Sequence, residues 1–147
     1  KMKPLPIVVF VALMSAVGAQ ANDITAEKMF EKHVSKNDDV GVANTLMRCS
    51  GLLALMAKET ENLSQQVFQQ SLLGAGAIQG AAKMIYSSEG RDYDQQTITG
   101  WTVDWANHYQ ERFEKNLVTT GEKFGSDEQI KADPRFCNGM AQVAQGA

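Results

Sequence analysis

The chain has 147 residues, 44% of them hydrophobic, and carries 14 lysines and arginines against 17 aspartates and glutamates, for a net charge of −3. That length suits one domain with a sizeable core. A mildly acidic chain without a basic run argues against nucleic acid or an anionic membrane surface as its partner.

The N-terminal residues read as an export signal. Lys3 supplies a positive start, residues 7–17 form an almost unbroken apolar run, and Ala19-Gln20-Ala21 matches a small-residue cleavage site. The run is about ten residues long, short of the roughly 20 that a stable bilayer-spanning helix needs. The expectation is a signal peptide over residues 1–21 and a single helical domain over 22–147. No stable membrane insertion is expected after the signal is removed, and the destination is the periplasm or the cell exterior.

Residues 22–34 predict a first helix, capped by Asp23 or Thr25 and apolar on the side of Ile24, Met29, Phe30 and Val34. After a polar break over 35–39, with Asp38 or Asp39 as cap, residues 42–59 predict the central helix. There Val42, Leu46, Cys49, Leu53 and Met56 recur at helical spacing, and Ala43, Met47, Leu52 and Leu55 widen the stripe. A helix so apolar around its circumference calls for neighbours on several sides.

Ser64 is the expected cap of a third helix over 65–86, rich in glycine and alanine in its second half. Glycine inside a helix costs about 1 kcal/mol relative to alanine. Gly74, Gly76 and Gly80 therefore predict close approach of a neighbouring backbone, and the Gly76 and Gly80 face is a candidate contact for self-association. Their spacing does not match the dinucleotide fingerprint, and no strand precedes them.

Residues 87–96 read as a loop. A fourth helix is expected over 97–120, with Ile98, Trp101, Trp105, Tyr109, Phe113 and Leu117 on its core side and Gly121 as its stop. Ser126 to Gln129 resembles a capping box for a short turn reaching Ala132. Asp133-Pro134 then reads as the start of a last helix to about Val143, since proline is favoured at a first helical position.

Two cysteines in an exported chain are most simply one disulfide, Cys49–Cys137, rather than a redox pair or a thiolate metal site, whose spacings are absent. The fold expected is all-α, a small four- to five-helix bundle stapled by that bridge.

Chemistry-bearing patterns are sparse. Asp104, His108 and Glu111 share a helix face and are the candidate metal ligands. The carboxylate-bridged metal bundles, however, use Glu-x-x-His on two helices, and here a single His-x-x-Glu occurs. A solvated charged face accounts for the same residues. No nucleophile elbow, haem-attachment motif or complete calcium loop is present.

The aromatic positions Trp101, Trp105 and Tyr109 read first as core. They read second as the wall of a pocket or groove for an apolar ligand or a partner, with Tyr93 in the preceding loop at its border. The expected function is a non-enzymatic exported protein, without cofactor, that binds another envelope or extracellular protein or a small apolar ligand. The alternatives are a metal-binding protein or enzyme using Asp104, His108 and Glu111, and a self-associating structural protein. The sequence leaves the oligomeric state open.

Overall fold

The computed structural model describes residues 24–125 and 127–146. The expected signal peptide, and Asp23 as a possible cap, lie outside the described residues. Among those described, the chain forms five α-helices and no strand: α1 (Ala26–Ser35), α2 (Asp39–Thr60), α3 (Gln65–Ser88), α4 (Gln95–Thr120) and α5 (Glu128–Ala144). It is the all-α bundle that the periodicity predicts.

Local chemistry explains most of the boundaries. Side-chain oxygens of Thr25, Asp38, Ser64, Asp94 and Asp127 each accept a backbone N–H in the first turn of the helix that follows. At the far end of α4, Gly121 takes φ 76°, and its N–H returns to the Leu117 carbonyl. A left-handed residue there suits glycine because no Cβ opposes it.

α2 is the hub and packs against all four other helices. Its residues Thr45 to Leu53 are buried without a break. By length and composition it could cross a membrane, yet it is largely covered by its neighbours. A four-residue link makes α2 and α3 an antiparallel hairpin, in which Tyr86 reaches Asn44 and Gly74 lies against Leu53. The Cys49–Cys137 disulfide joins α2 to α5 across 88 positions, with both residues fully buried.

Two expectations need correction. The close helix approach is not at Gly76 or Gly80, where an added Cβ would meet nothing within 4 Å. It occurs in part at Gly74, where a Cβ would come within 3.0 Å of Ala141 Cβ. The closest approach to a neighbouring backbone is at Gly51 on α2, where a Cβ would meet Trp105 Cβ and come within 2.7 Å of the Ala106 nitrogen. α2 and α4 thus touch backbone to backbone at Gly51. The second correction concerns α5. It is one helix from Glu128, with Pro134 inside it, not a short turn followed by a new start. Asp127 caps it, and the Asp133 carboxylate is engaged elsewhere.

Candidate functional site

The apolar face of α2 carries a charged residue at its middle. Arg48 is fully buried, as is Asp133 of α5, and Arg48 Nη2 donates to Asp133 Oδ2 at 2.7 Å. Arg48 Nε donates to the Tyr109 hydroxyl oxygen at 2.7 Å, and the Tyr109 O–H donates to the same Asp133 Oδ2 at 2.6 Å. Nη2 also donates to Gln129 Oε1 at 3.0 Å. The second carboxylate oxygen of Asp133 accepts the N–H of Ala26 at 2.8 Å, so this carboxylate caps the first turn of α1 from 107 positions away.

A buried ion is tolerated only when its charge and its donors are answered. Here three other helices, α1, α4 and α5, answer Arg48. Its guanidinium also lies over Trp105 at 5.4 Å and Tyr109 at 5.7 Å from the ring centroids. Burial pushes the Tyr109 phenol well above its usual range, and the neighbouring Asp133 adds to that push, so it serves as a neutral bridge.

Outward from this network lies a groove of about 290 Å³, lined by Met29, Asn44, Met47, Tyr86, Trp101 and Trp105. Four helices supply it. The two tryptophans sit one turn apart on α4, and Asn44 and Met47 are three apart on α2, so each pair shares a face. Arg48 Nη1 points to the Met29 sulfur at 3.9 Å, which ties the groove to the buried hub.

Tyr86 donates its O–H to Asn44 Oδ1 at 2.5 Å. Its phenol is pushed up to about 12, by burial first and by the neighbouring Tyr93 second. Tyr86, Tyr93 and Trp101 contact one another edge to face, with centroids 5.1, 5.8 and 4.8 Å apart. This three-ring wall separates the groove from a second hollow of about 300 Å³ that Tyr93 lines together with Gly80, Met84 and Asp92.

The residues singled out from sequence are thus divided. Tyr93, Trp101 and Trp105 are half-buried around the groove and its wall, whereas Tyr109 is fully buried in the ionic network. Asp104 and Glu111 are exposed. His108 is half-buried against Trp105 and Tyr109, with Nε2 3.4 Å from Gln129 Oε1. Among the described residues, no group of three or more histidine, cysteine, aspartate or glutamate side chains is placed to hold a metal ion.

Sequence reasoning read Met29 and Met47 only as core positions and passed over Arg48, Asn44 and Tyr86. One signal was available: a lone arginine inside an otherwise apolar helix has to find a buried partner. Compared with protein-family models, curated proteins and solved structures, the chain matches none.

Proposed function

We propose that the protein is an exported, non-enzymatic binding module. Its groove between Met29, Met47, Tyr86, Trp101 and Trp105 receives an apolar side chain of a partner protein or a small apolar molecule. The observation that carries this reading is the lining: two tryptophans, a tyrosine and two methionines converge on one hollow, backed by a rigid buried ion pair. Tryptophan and tyrosine dominate the energetics of recognition sites, and methionine adapts its shape to what it meets. Asn44, exposed and keeping its amide N–H groups free of the Tyr86 bond, offers a polar contact that orients an otherwise apolar guest.

The chemistry of the lining favours binding over reaction. Thioethers, indoles and a carboxamide exchange no proton near neutral pH, and a phenol pushed to about 12 does not ionise there. Export is supported by the buried Cys49–Cys137 disulfide, since such bonds persist in oxidising compartments, and by the N-terminal signal-like segment.

The test is capture from an envelope extract by the wild-type protein and by Trp101→Ala and Tyr93→Ala, alongside tryptophan fluorescence during titration with an apolar dye. A partner or dye bound by wild type and weakened at least about tenfold by Trp101→Ala fits the loss of a buried aromatic anchor. Equal binding by both variants rules the groove out.

A further inference from the structure

The buried polar side chains of the core find partners inside the protein, with one exception. Thr45 donates to the Gly41 carbonyl, Ser50 pairs with Thr102, Asn116 donates to the Lys123 carbonyl, and Arg48, Gln129 and Asp133 share one network. Ser71 on α3 is only 3% exposed, and its hydroxyl has no hydrogen-bond partner among the described residues. Yet no buried side-chain oxygen or nitrogen there is cut off from both partner and solvent. The Ser71 Oγ must therefore open onto the cavity that Ser71 lines, a groove of about 480 Å³ between the C-terminal half of α2, the first half of α3 and the end of α5. A hydroxyl placed there can hydrogen-bond to a molecule that enters the groove.

The rest of the lining narrows the guest. Its rim is four carboxamides, Gln70, Asn138, Gln142 and Gln145, above apolar walls that include Met56 and Leu73, and no charged side chain lines it. Among the described residues, the carboxamides of Gln70, Asn138 and Gln142 bond to no protein group.

We infer that this groove binds a neutral, extended stretch of polypeptide through its backbone amides. A carboxamide both donates and accepts, as a peptide unit does, so a row of them suits a ligand that alternates N–H and C=O along its length. A charged ligand would lose its hydration without gaining a counter-charge. A saccharide also alternates donors and acceptors, but the groove has no aromatic face for a sugar ring to stack on. The volume lies within the range of roughly 300 to 1,000 Å³ usual for ligand sites. This groove and the aromatic one lie at opposite ends of the α2–α3 hairpin, so the two assignments stand or fall separately.

The experiment is a heteronuclear NMR titration of the disulfide-intact protein with acetyl-Ala-Leu-Ala-Ala-amide and, in parallel, with maltotetraose. The expected result is saturable shifts at the Ser71 backbone and at the side-chain amides of Gln70, Asn138 and Gln142 with the peptide alone. Ser71→Val and Gln142→Ala should each weaken peptide binding about fivefold, the loss of one neutral hydrogen bond. Gln142 is exposed, so its variant remains informative if Ser71→Val perturbs folding. The assignment is overturned by no saturable shift with the peptide or by equal or stronger binding of the saccharide. It is also overturned by shifts confined to the Trp101 and Trp105 indoles, or by affinities that neither substitution changes.

Discussion

The Arg48 guanidinium and the Asp133 carboxylate meet at 2.7 Å with no exposed surface on either side chain, where α1, α2, α4 and α5 converge. Removing one member of such a pair strands the other charge in the core, which typically costs about 3–5 kcal/mol. Asp133→Ala also uncaps α1 by taking the acceptor from Ala26. Replacing both charges together, as Arg48→Met with Asp133→Leu, should cost less than the two single losses summed, because no uncompensated ion remains and only the neutral Ala26 N–H and Tyr109 O–H lose their acceptor. Urea unfolding of the two single variants and the double variant measures the coupling. Additive losses would mean that the ion pair is not the unit that matters.

Gly51 and Gly80 should respond in opposite directions to the same added methyl group. At Gly51 the new Cβ would press on the α4 backbone, within 2.7 Å of the Ala106 nitrogen and 2.8 Å of the Thr102 carbonyl oxygen. Backbone cannot step aside as a side-chain tip can, so Gly51→Ala should lose about 1–3 kcal/mol as the helices are forced apart. At Gly80 the Cβ would meet nothing within 4 Å, and Gly80→Ala should stabilise the helix by about 0.5–1 kcal/mol. Denaturant midpoints of the two variants against wild type decide this.

Those two glycines also show which parts of the fold were legible. Helices and their caps follow local rules, and Asp38, Ser64 and Gly121 act where the pattern puts them. The pairing of Cys49 with Cys137 needed only that two cysteines be present. The function of a glycine, by contrast, depends on what lies opposite it. Gly51 stands at the head of the apolar run 52–57, where nothing local marks its role, while the conspicuous Gly76 and Gly80 face open space. Asp133 misled for the same reason. Before Pro134 it has the local look of a helix cap, yet its partner is a buried arginine 85 positions earlier. The groove was half visible, because Trp101 and Trp105 mark α4, while Met29, Asn44, Met47 and Tyr86 come from three other helices whose register no single segment reveals.

Reduction of the disulfide should weaken the fold without rearranging it. The bridge closes a loop of 88 positions, and the chain-entropy model gives such closure about 4–5 kcal/mol. α5 loses its covalent tie but keeps the Asp133 network and its contacts with α1, α2 and α3. Cys49→Ala/Cys137→Ala should therefore retain helical circular dichroism while unfolding at markedly lower denaturant. An unchanged midpoint would assign the bridge no role in stability.

Acid should loosen the hub through His108. Burial holds the His108 imidazole below its ordinary value, the positive charges of Arg48 and Arg112 act in the same direction, and the Gln129 hydrogen bond and Glu111 only partly oppose them. Across from it, α2 contributes Arg48, and α5 contributes Gln129 and Asp133, whose carboxylate is committed to Arg48 and Tyr109. A histidine depressed in the fold binds its proton more readily when unfolded. Its contribution to stability is thus fully present above the unfolded value of about 6.5 and is lost progressively as pH falls from there through the folded value. Asp38 and Asp127 titrate below the usual carboxylate range, so their losses begin only in stronger acid. Asp38 is held down first by the Gly41 N–H and then by His33. For Asp127, burial is opposed and outweighed by Arg112 and by the Ile130 and Gln129 N–H groups. Between pH 7 and 5 the wild-type unfolding free energy should therefore decline, with His108 contributing at most about 1.4 kcal/mol per pH unit for its single proton. His108→Gln keeps a donor toward Gln129 without a titrating ring. That variant should show a flatter profile over the same interval, measured by urea unfolding at fixed ionic strength. Superimposable slopes would remove His108 from the account.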